Sequence, residues 1–314
     1  MAEAGPTSSN ELASSTDLNE RFVREWLMGM AAARLITLDD DVFELPPEGA
    51  AVLADEENSI QFSAGAFRGG IDSSVLDLIK DSFRTGLGMT YQQQGPKAAA
   101  GLARMTGPFS RMALIPTILP GLDGVLDKLQ VGATVLDIGC GSGVTSCIIA
   151  ENFPNSRVVG YDPSEIAVTN ARSLAAETGL TNTEFIAASA TSVPAGSGFD
   201  FVLTFDCLHD MARPDLSLSA IRSAIADDGT LLVKDIRSTG DFEKDRKNPL
   251  LAMFYGFSVT SCLQSAMSET DGLGLGTLGL HSRKAKELVE AAGFTSFHQH
   301  DFEDSANLYY EVRP

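Results

Sequence analysis

Short apolar runs alternate with helical patterns from Ala133 onward, as is typical of a parallel sheet with helices on both faces. Five of these runs predict strands, at Thr134–Gly139, Arg157–Asp162, Glu184–Ala188, Phe201–Phe205 and Leu231–Ile236. Helices are predicted at Ser142–Asn152, Ser164–Thr178, Leu216–Ala226 and Ser282–Ala292, and Ser282 can cap the last of them. Two late strands are expected near Ser296–His300 and Leu308–Val312. The pattern therefore predicts an α/β fold with a doubly wound sheet of seven strands.

The first fifty residues follow a different pattern. Ser9–Ser14 is a candidate for a short helix, and Asp17 with Glu20 can form the capping box of a longer one. That second helix would carry an apolar stripe at helical spacing, made of Phe22, Val23, Trp26, Leu27 and Met30. The segments Leu35–Leu38 and Val42–Leu45 flank an acidic turn and predict a hairpin. Helix, turn, helix and hairpin together are typical of a winged-helix domain.

The remaining segments suggest how the domains are arranged. We expect a winged-helix domain at residues 1–50, a mostly helical connector and cap at 51–130, and the main α/β domain at 131–314. An insertion at residues 238–280 separates the fifth strand from its helix. The apolar middle of this insertion could line a substrate pocket or belong to the core, and the sequence leaves both readings open. It consists of Leu250, Leu251, Met253, Phe254, Tyr255 and Phe257.

Charge and cysteine content narrow the function classes. The 314 residues carry a net charge of −19, which argues against binding to nucleic acid or to an anionic membrane surface. Residues 1–50 hold ten acidic and three basic residues, a net charge of −7, so a packing or dimerisation role is expected for the winged helix rather than DNA binding. The four cysteines form no C-x-x-C pair, so no zinc site and a reducing, cytoplasmic location are predicted. We find no signal peptide and no apolar run long enough for a membrane span.

A glycine-rich turn follows the first predicted strand of the main domain. The segment Val135–Gly143 has the pattern D-x-G-x-G-x-G, in which Asp137 precedes Gly139, Gly141 and Gly143. Glycines let a ligand approach bare backbone at the end of a strand. The dinucleotide pattern G-x-G-x-x-G fails because its third glycine is replaced by Val144. Asp162 ends the next strand 23 positions after Gly139, near the spacing at which a carboxylate reaches ribose hydroxyls. A glycine turn without a ligand is the alternative.

The chain resembles class I S-adenosylmethionine (SAM) methyltransferases that have an N-terminal winged helix. The resemblance covers nearly the whole chain and rests on Leu18–Leu27, on the glycine turn and on Phe205–Met211. It implies SAM as the cofactor and a final antiparallel strand pair in the sheet. It also implies a set of cofactor-binding positions: Asp137, Gly139, Gly141, Gly143, Asp162, Ser189, Ala190 and Asp206.

Two positions depart from the pattern of this family. Ser189-Ala190 stands where the third strand of the family usually ends in Asp-Ala. We expect weaker SAM binding in consequence, because a neutral hydroxyl accepts a weaker hydrogen bond than a carboxylate does. Family members also carry further helices before the winged helix that help them dimerise, whereas only Met1–Ser8 precedes it here. A homodimer is therefore an open expectation.

His209 and Asp210 are the candidate catalytic residues. They follow the fourth strand, at the edge where such sheets bind ligands, and they resemble the His-Asp pair of small-molecule O-methyltransferases. That resemblance implies that His209 deprotonates an acceptor hydroxyl while Asp210 orients it. The alternative for His209 is a purely structural role. Tyr91 could face the positively charged cofactor or be an ordinary buried tyrosine. No metal is predicted, although the acids Asp206, Asp210 and Asp215 could be imagined as ligands.

These observations predict a SAM-dependent methyltransferase that acts on a small molecule, most simply at oxygen. The alternative from another class is a SAM-binding regulatory or winged-helix protein without turnover. Of its partners, the sequence predicts a small-molecule methyl acceptor, no nucleic acid and no membrane.

Overall fold

The computed structural model describes residues 1–66 and 71–314, which form two compact units. The first unit comprises residues up to 66 together with Arg104–Met112. The second comprises residues 71–103 and Ala113–Pro314, and it contains all the candidate site residues. The domain boundaries near residues 50 and 130 stay predictions.

The first unit contains the expected helices and hairpin. Helices α1 and α2 are followed by an antiparallel strand pair and a further helix; they are α1 Ser9–Thr16, α2 Glu20–Ala32, β1 Thr37–Asp39, β2 Val42–Glu44 and α3 Pro47–Leu53. The predicted capping box was wrong. Asp17 instead ends α1 in the left-handed conformation, and the Asn19 side chain caps α2 by accepting from the Arg21 amide at 3.1 Å.

The apolar stripe of α2 is divided between the core and the surface. Val23 and Leu27 are buried with Leu12, Ile36 and Phe43. Of the other three members, Met30 is partly buried against this cluster, whereas Phe22 keeps 79% and Trp26 52% of its surface.

Helices precede the main sheet along the chain. They are α4 Ser73–Thr85, α5 Tyr91–Gln94, α6 Pro96–Ala113, a π-helix at Leu114–Ile118 and α7 Val125–Val131. Helix α5 is only four residues long, and Thr90 caps it in a reciprocal pair with Gln93. Such a short helix is stabilised by its cap and its tertiary contacts rather than by helix propensity.

The predicted seven-stranded sheet is confirmed. Its strands are β3 Thr134–Ile138, β4 Arg157–Asp162, β5 Thr183–Ala187, β6 Phe199–Phe205, β7 Ile225–Ile236, β8 Ser296–His300 and β9 Asn307–Arg313. They lie in the order β5-β4-β3-β6-β7-β9-β8. Strands β3 to β7 are parallel, and β9 is antiparallel to both of its neighbours. Strand β7 begins earlier than predicted because Ile225 pairs with Phe199 beyond an irregularity in the register.

Four helices connect the strands or pack beside them, close to their predicted positions. They are α8 Val144–Asn152, α9 Glu165–Glu177, α10 Pro214–Ala224 and α14 Ser282–Ala291. The predicted cap of α14 was wrong by one residue: the His281 side chain accepts from the Lys284 amide, because His281 and not Ser282 has the extended backbone of a cap. Among the helices of residues 1–66 and 71–314, none has both the length and the apolarity needed to cross a bilayer.

The insertion between β7 and α14 is also helical. It contains α11 Phe242–Asp245, α12 Leu251–Phe257, a π-helix at Ser258–Cys262 and α13 Leu263–Ala266. Its apolar middle is divided, because Leu251 and Phe254 are buried whereas Leu250, Met253 and Tyr255 are exposed. The core interpretation therefore holds for Leu251 and Phe254, whereas the pocket-lining role of the exposed residues stays a prediction.

Candidate active site

The glycine turn lies between β3 and α8, at the carboxyl edge of the sheet. Gly139, Gly141 and Gly143 have φ values of 70°, 53° and 78°. A Cβ atom at Gly139 would lie 2.6 Å from Cβ of Cys207, and one at Gly143 would lie 2.7 Å from Cβ of Ala171. Within the described part of the chain, no such neighbour lies within 4 Å of a Cβ built on Gly141. Two of the glycines therefore allow close packing, and Gly141 is the position at which a ligand can approach the backbone.

Asp162 ends β4 beside this turn. Its carboxylate accepts from the Gly141 amide at 3.0 Å and from the Ser164 amide at 2.8 Å. Burial raises the pKa of Asp162, and these two hydrogen bonds act in the opposite direction. Because a carboxylate has about four lone-pair sites, acceptor capacity remains for hydroxyls of a ligand.

Asp137 lies under the turn and is buried. The Ser146 hydroxyl donates to its carboxylate at 2.6 Å. Burial raises the pKa of Asp137 to about 7, the Ser146 hydrogen bond opposes this, and the charge of Asp162 adds to it. Asp137 therefore links β3 to α8 through Ser146, and burial destabilises the charged form of its carboxyl group.

The remaining predicted cofactor positions differ in their surroundings. The Ser189 hydroxyl is exposed and accepts from the Thr191 amide at 3.3 Å, whereas Ala190 is packed in the main core. Asp206 has a left-handed backbone, and its carboxylate oxygens accept from Lys234 and from the Asn307 amide group. The structure therefore brings Asp137, Gly141 and Asp162 together, while Asp206 is engaged with β7 and β9.

His209 lies on a 3₁₀ turn, Leu208–Asp210, that follows β6. The side chain is buried, with 2% of its surface exposed, and its Nδ1 lies 2.7 Å from Oδ1 of Asp235. Among the described residues, Nε2 has no hydrogen-bond partner. Burial alone would lower the pKa of His209, but the charge of Asp235, the nearby Cys262 side chain and the hydrogen bond with Asp235 raise this pKa well above its usual value.

The carboxylate that orients His209 is Asp235 rather than the predicted Asp210. Asp210 follows His209 on the same turn, and its side chain hydrogen-bonds with the Tyr91 hydroxyl instead. Burial raises the pKa of Asp210 to about 7, while His209 and the Tyr91 hydrogen bond act against this. Asp235 lies at the end of β7, the strand next to β6. An acid near the end of the fifth predicted strand was the signal that could have identified it.

Helix α5 links several parts of the site. Tyr91 is half-buried, and its hydroxyl contacts both Asp210 and Ser261. The neighbouring Gln92 accepts from the Ser164 hydroxyl at 3.1 Å, next to Asp162. Gln94 accepts from the Ser261 hydroxyl at 2.6 Å and donates to the Ser261 carbonyl at 3.2 Å. Sequence reasoning selected Tyr91 but missed the two glutamines, whose only signal was their position beside it.

Two family models match separate parts of the chain. Residues 129–271 match a model described as a methyltransferase domain, and residues 1–55 match one described as an Rv2258c-like winged HTH domain. Two curated relatives match part of the chain. The (S)-tetrahydroprotoberberine N-methyltransferase of Eschscholzia californica is 29% identical over 109 residues, which are 35% of this chain and 31% of that protein. The ubiquinone biosynthesis O-methyltransferase of Agrobacterium fabrum is 32% identical over 109 residues, which are 34% of this chain and 42% of that protein.

Solved structures resemble the chain over nearly its whole length. One described as a putative O-methyltransferase from Nostoc punctiforme has a TM-score of 0.70 at 20% identity, covering 99% of this chain and 89% of its own. Human N-acetylserotonin methyltransferase in complex with SAM has a TM-score of 0.66 at 16% identity, covering 98% of this chain and 88% of its own. The chain spans about a third of the length of the first curated relatives it matches. The matches therefore show a methyltransferase domain model at residues 129–271, an Rv2258c-like winged HTH model at residues 1–55, and a fold shared with solved methyltransferases.

Proposed function

We propose that this chain is a SAM-dependent methyltransferase that methylates a hydroxyl group of a small molecule, with His209 as the general base. The observation that carries the proposal is the geometry of His209. Its Nδ1 is held by the buried Asp235 at 2.7 Å, and its imidazole lies at the same sheet edge as the glycine turn and Asp162.

The turn and the acids beside it fit SAM. Gly141 offers bare backbone, and Asp162 retains acceptor capacity for the ribose hydroxyls. Bound SAM supplies a methyl group that its sulfonium has already activated. Burial raises the pKa values of Asp137 and Asp210 to about 7, so a cationic ligand at this edge would stabilise their charged forms, and the half-buried ring of Tyr91 can add a cation–π contact.

The protein has to position the acceptor and remove its proton. In the neutral imidazole, Asp235 accepts a hydrogen bond from Nδ1–H and the lone pair is at Nε2; because the pKa of His209 is raised, this neutral form becomes available as pH rises. Nε2 can then take the hydroxyl proton as the oxygen attacks, and the adjacent carboxylate stabilises the imidazolium that forms. Asp210 has a different role in this proposal: through its hydrogen bond with Tyr91 it holds α5 against the site.

The histidine also favours oxygen over nitrogen as the acceptor atom. One similar protein is named an N-methyltransferase and another an O-methyltransferase, so these partial matches do not decide between them. A neutral amine attacks without a base, whereas a hydroxyl needs one. Burying the Asp235 carboxylate and the His209 imidazole costs desolvation energy, and a role in proton transfer would explain why the chain buries this pair. A protein that binds SAM without turnover would have no use for a buried His209–Asp235 pair in proton transfer.

A screen with isotope-labelled SAM tests the proposal. The full-length protein would be incubated with labelled SAM and a panel of small molecules in which each hydroxyl compound is paired with its amine analogue. We expect label in at least one hydroxyl compound and none in its amine analogue. Transfer confined to amines, at a rate that His209→Ala leaves unchanged, would contradict the proposal.

A further inference from the structure

We infer that His209, Asp210 and Cys262 form a binding site for a borderline-soft divalent metal ion such as Zn²⁺. One potential ligand atom from each residue lies within 4.8 Å of those of the other two. Within residues 1–66 and 71–314, this is the one such cluster of three or more His, Cys, Asp or Glu side chains. Cys262 comes from the insertion, whereas the other two residues follow β6.

His209 has the surroundings of a metal ligand. Metal-bound histidines usually coordinate through one nitrogen and donate the other N–H to a carboxylate, which fixes the ring. Here Asp235 holds Nδ1, and in the part of the chain that the structure describes Nε2 is a buried nitrogen that makes no hydrogen bond of normal geometry and lies close to the Cys262 side chain. A buried nitrogen of this kind is best satisfied by a ligand that accepts its lone pair.

The other two ligands are also supported by outer contacts. The Asp210 carboxyl hydrogen-bonds with the Tyr91 hydroxyl. Cys262 ends a π-helix, and its neighbour Ser261 is fixed by two hydrogen bonds with Gln94. Segments of π-helix are frequent at functional sites.

The donor set indicates the class of metal. Thiolate and imidazole are ligands that Zn²⁺ prefers, and three protein ligands leave a fourth position open, as in catalytic zinc sites. Two buried carboxylates, Asp210 and Asp235, lie beside one imidazole, so a divalent cation would add positive charge where negative charge is buried.

Metal binding would inhibit methyl transfer, a consequence that rests on the function proposed above. Coordination releases the Cys262 thiol proton to the solvent, and the resulting thiolate binds the metal together with the Nε2 lone pair. That lone pair is the one that His209 needs as a base. The site would therefore make methyl transfer sensitive to zinc.

Direct titration tests the site without SAM or an acceptor. Metal-free full-length protein would compete with a chromophoric chelator for Zn²⁺. We expect one ion per chain in the wild type and in Cys147→Ser, a control at a buried cysteine outside the cluster. Asp235→Asn should weaken binding by roughly 10–100-fold, the usual effect of losing an outer contact, and Cys262→Ser by more. No binding by the wild type, or equal binding by Cys262→Ser, would overturn the inference.

Cobalt gives an independent readout of the ligands. Co²⁺ in place of Zn²⁺ should produce a thiolate-to-metal charge-transfer absorption in the wild type and in Cys147→Ser, but not in Cys262→Ser. His209→Gln, checked for folding by circular dichroism, should also lose high-affinity binding. An absorption that persists in Cys262→Ser would refute the proposed ligand set.

The two proposals can fail separately. Zinc binding that depends on Cys262 in a protein with no methyl transfer would refute the proposed function and support the metal site. If methyl transfer continues when the site is saturated with Zn²⁺, the effect of His209→Gln on zinc binding decides between the two: zinc binding lost in this variant would refute His209 as the base, and zinc binding kept in it would overturn the assignment of Nε2 as a ligand.

Discussion

At the scale of single residues, the two ring nitrogens of His209 differ in their surroundings, and the difference limits what the side chain can do. The Nδ1 nitrogen is held by Asp235, so the ring cannot rotate without breaking a buried hydrogen bond. The remaining nitrogen is therefore fixed in place before any acceptor arrives, as a general base requires.

Replacing His209 tests this role. General-base removal of a proton typically contributes a factor of 10²–10⁴, so His209→Ala should lower turnover by about that factor. SAM affinity measured by calorimetry should stay nearly unchanged, because the imidazole is proposed to face the acceptor. His298→Ala is the matched control, since His298 is exposed on β8. Full turnover by His209→Ala would show that the residue has only a structural role.

Asp137 makes a prediction about stability and pH. The pKa of Asp137 is about 7 in the folded protein, whereas the ordinary value for an aspartate is 3.8. Between pH 3.8 and about 7 the folded state therefore binds more protons than the unfolded chain. Its contribution to stability therefore falls as pH rises from 4 to 7. Asp137→Asn removes this effect. The difference in unfolding free energy, variant minus wild type, should therefore increase from pH 4 to pH 7 by on the order of 3–5 kcal/mol. Urea unfolding at several pH values would measure the difference, and a difference independent of pH would contradict the prediction.

Sequence reasoning found the catalytic candidate but not its partners, for a physical reason. His209 belongs to a local motif that follows a strand. Asp235 is 26 positions away, and only the pairing of β6 with β7 brings it to the imidazole. Cys262 is farther still and reaches the site through an insertion whose path the sequence does not predict. The prediction of no metal rested on the lack of a C-x-x-C pair and on the acids near His209, and it did not include Cys262.

At the scale of elements, the glycine turn combines two functions in five residues. Gly139 and Gly143 allow the loop after β6 and helix α9 to pack closely, whereas Gly141 accommodates the ligand in our proposal. The three positions share a left-handed backbone, so conformation alone does not separate them.

The same substitution at two of these positions should therefore give different results. Asparagine tolerates the left-handed conformation, which keeps backbone strain similar at both sites. Gly141→Asn should abolish SAM binding and leave thermal stability nearly unchanged, because its side chain occupies the space of the ligand. Gly143→Asn should destabilise the fold by about 1–3 kcal/mol, because its Cβ meets Ala171 at 2.7 Å. Calorimetry with SAM and urea unfolding would measure both variants. Wild-type SAM affinity in Gly141→Asn would place the cofactor elsewhere.

The strands could be predicted more completely than the short helices. Buried parallel strands are continuous apolar runs, and they were found to within a few residues except at the start of β7. Helix α5 and the π-helix at Ser258–Cys262 have no such pattern. Tertiary contacts, such as those between Gln94 and Ser261, hold these segments in place, and contacts between residues 167 positions apart leave no local pattern in the sequence.

At the scale of the whole molecule, charge rather than fold determines our expectation for the winged helix. Helices and a hairpin of this kind can bind DNA, but residues 1–50 have a net charge of −7 within a chain of net charge −19. Exposed Phe22 and Trp26 on α2 also differ from the basic side chains that neutralise phosphates.

We therefore expect no binding of duplex DNA by the full-length protein at about 0.15 M salt. A gel-shift assay with a mixed-sequence duplex would measure it, with a basic winged-helix protein as the positive control. Retardation at sub-micromolar protein concentration would contradict the prediction.

The contact between Gly139 and Cys207 limits how the sequence can evolve. Because a Cβ at position 139 would lie 2.6 Å from the one at 207, a side chain at 139 clashes unless position 207 has lost its own, and even then it has to adopt the left-handed backbone of this turn. The two sites are thus epistatic, and the order of substitutions matters. Cys207 also stands two residues before His209, so the loop that carries the proposed base cannot drift independently of the cofactor turn. New acceptor preferences are therefore expected to arise by changes in the insertion, whose exposed residues Leu250, Met253 and Tyr255 are free of this restriction.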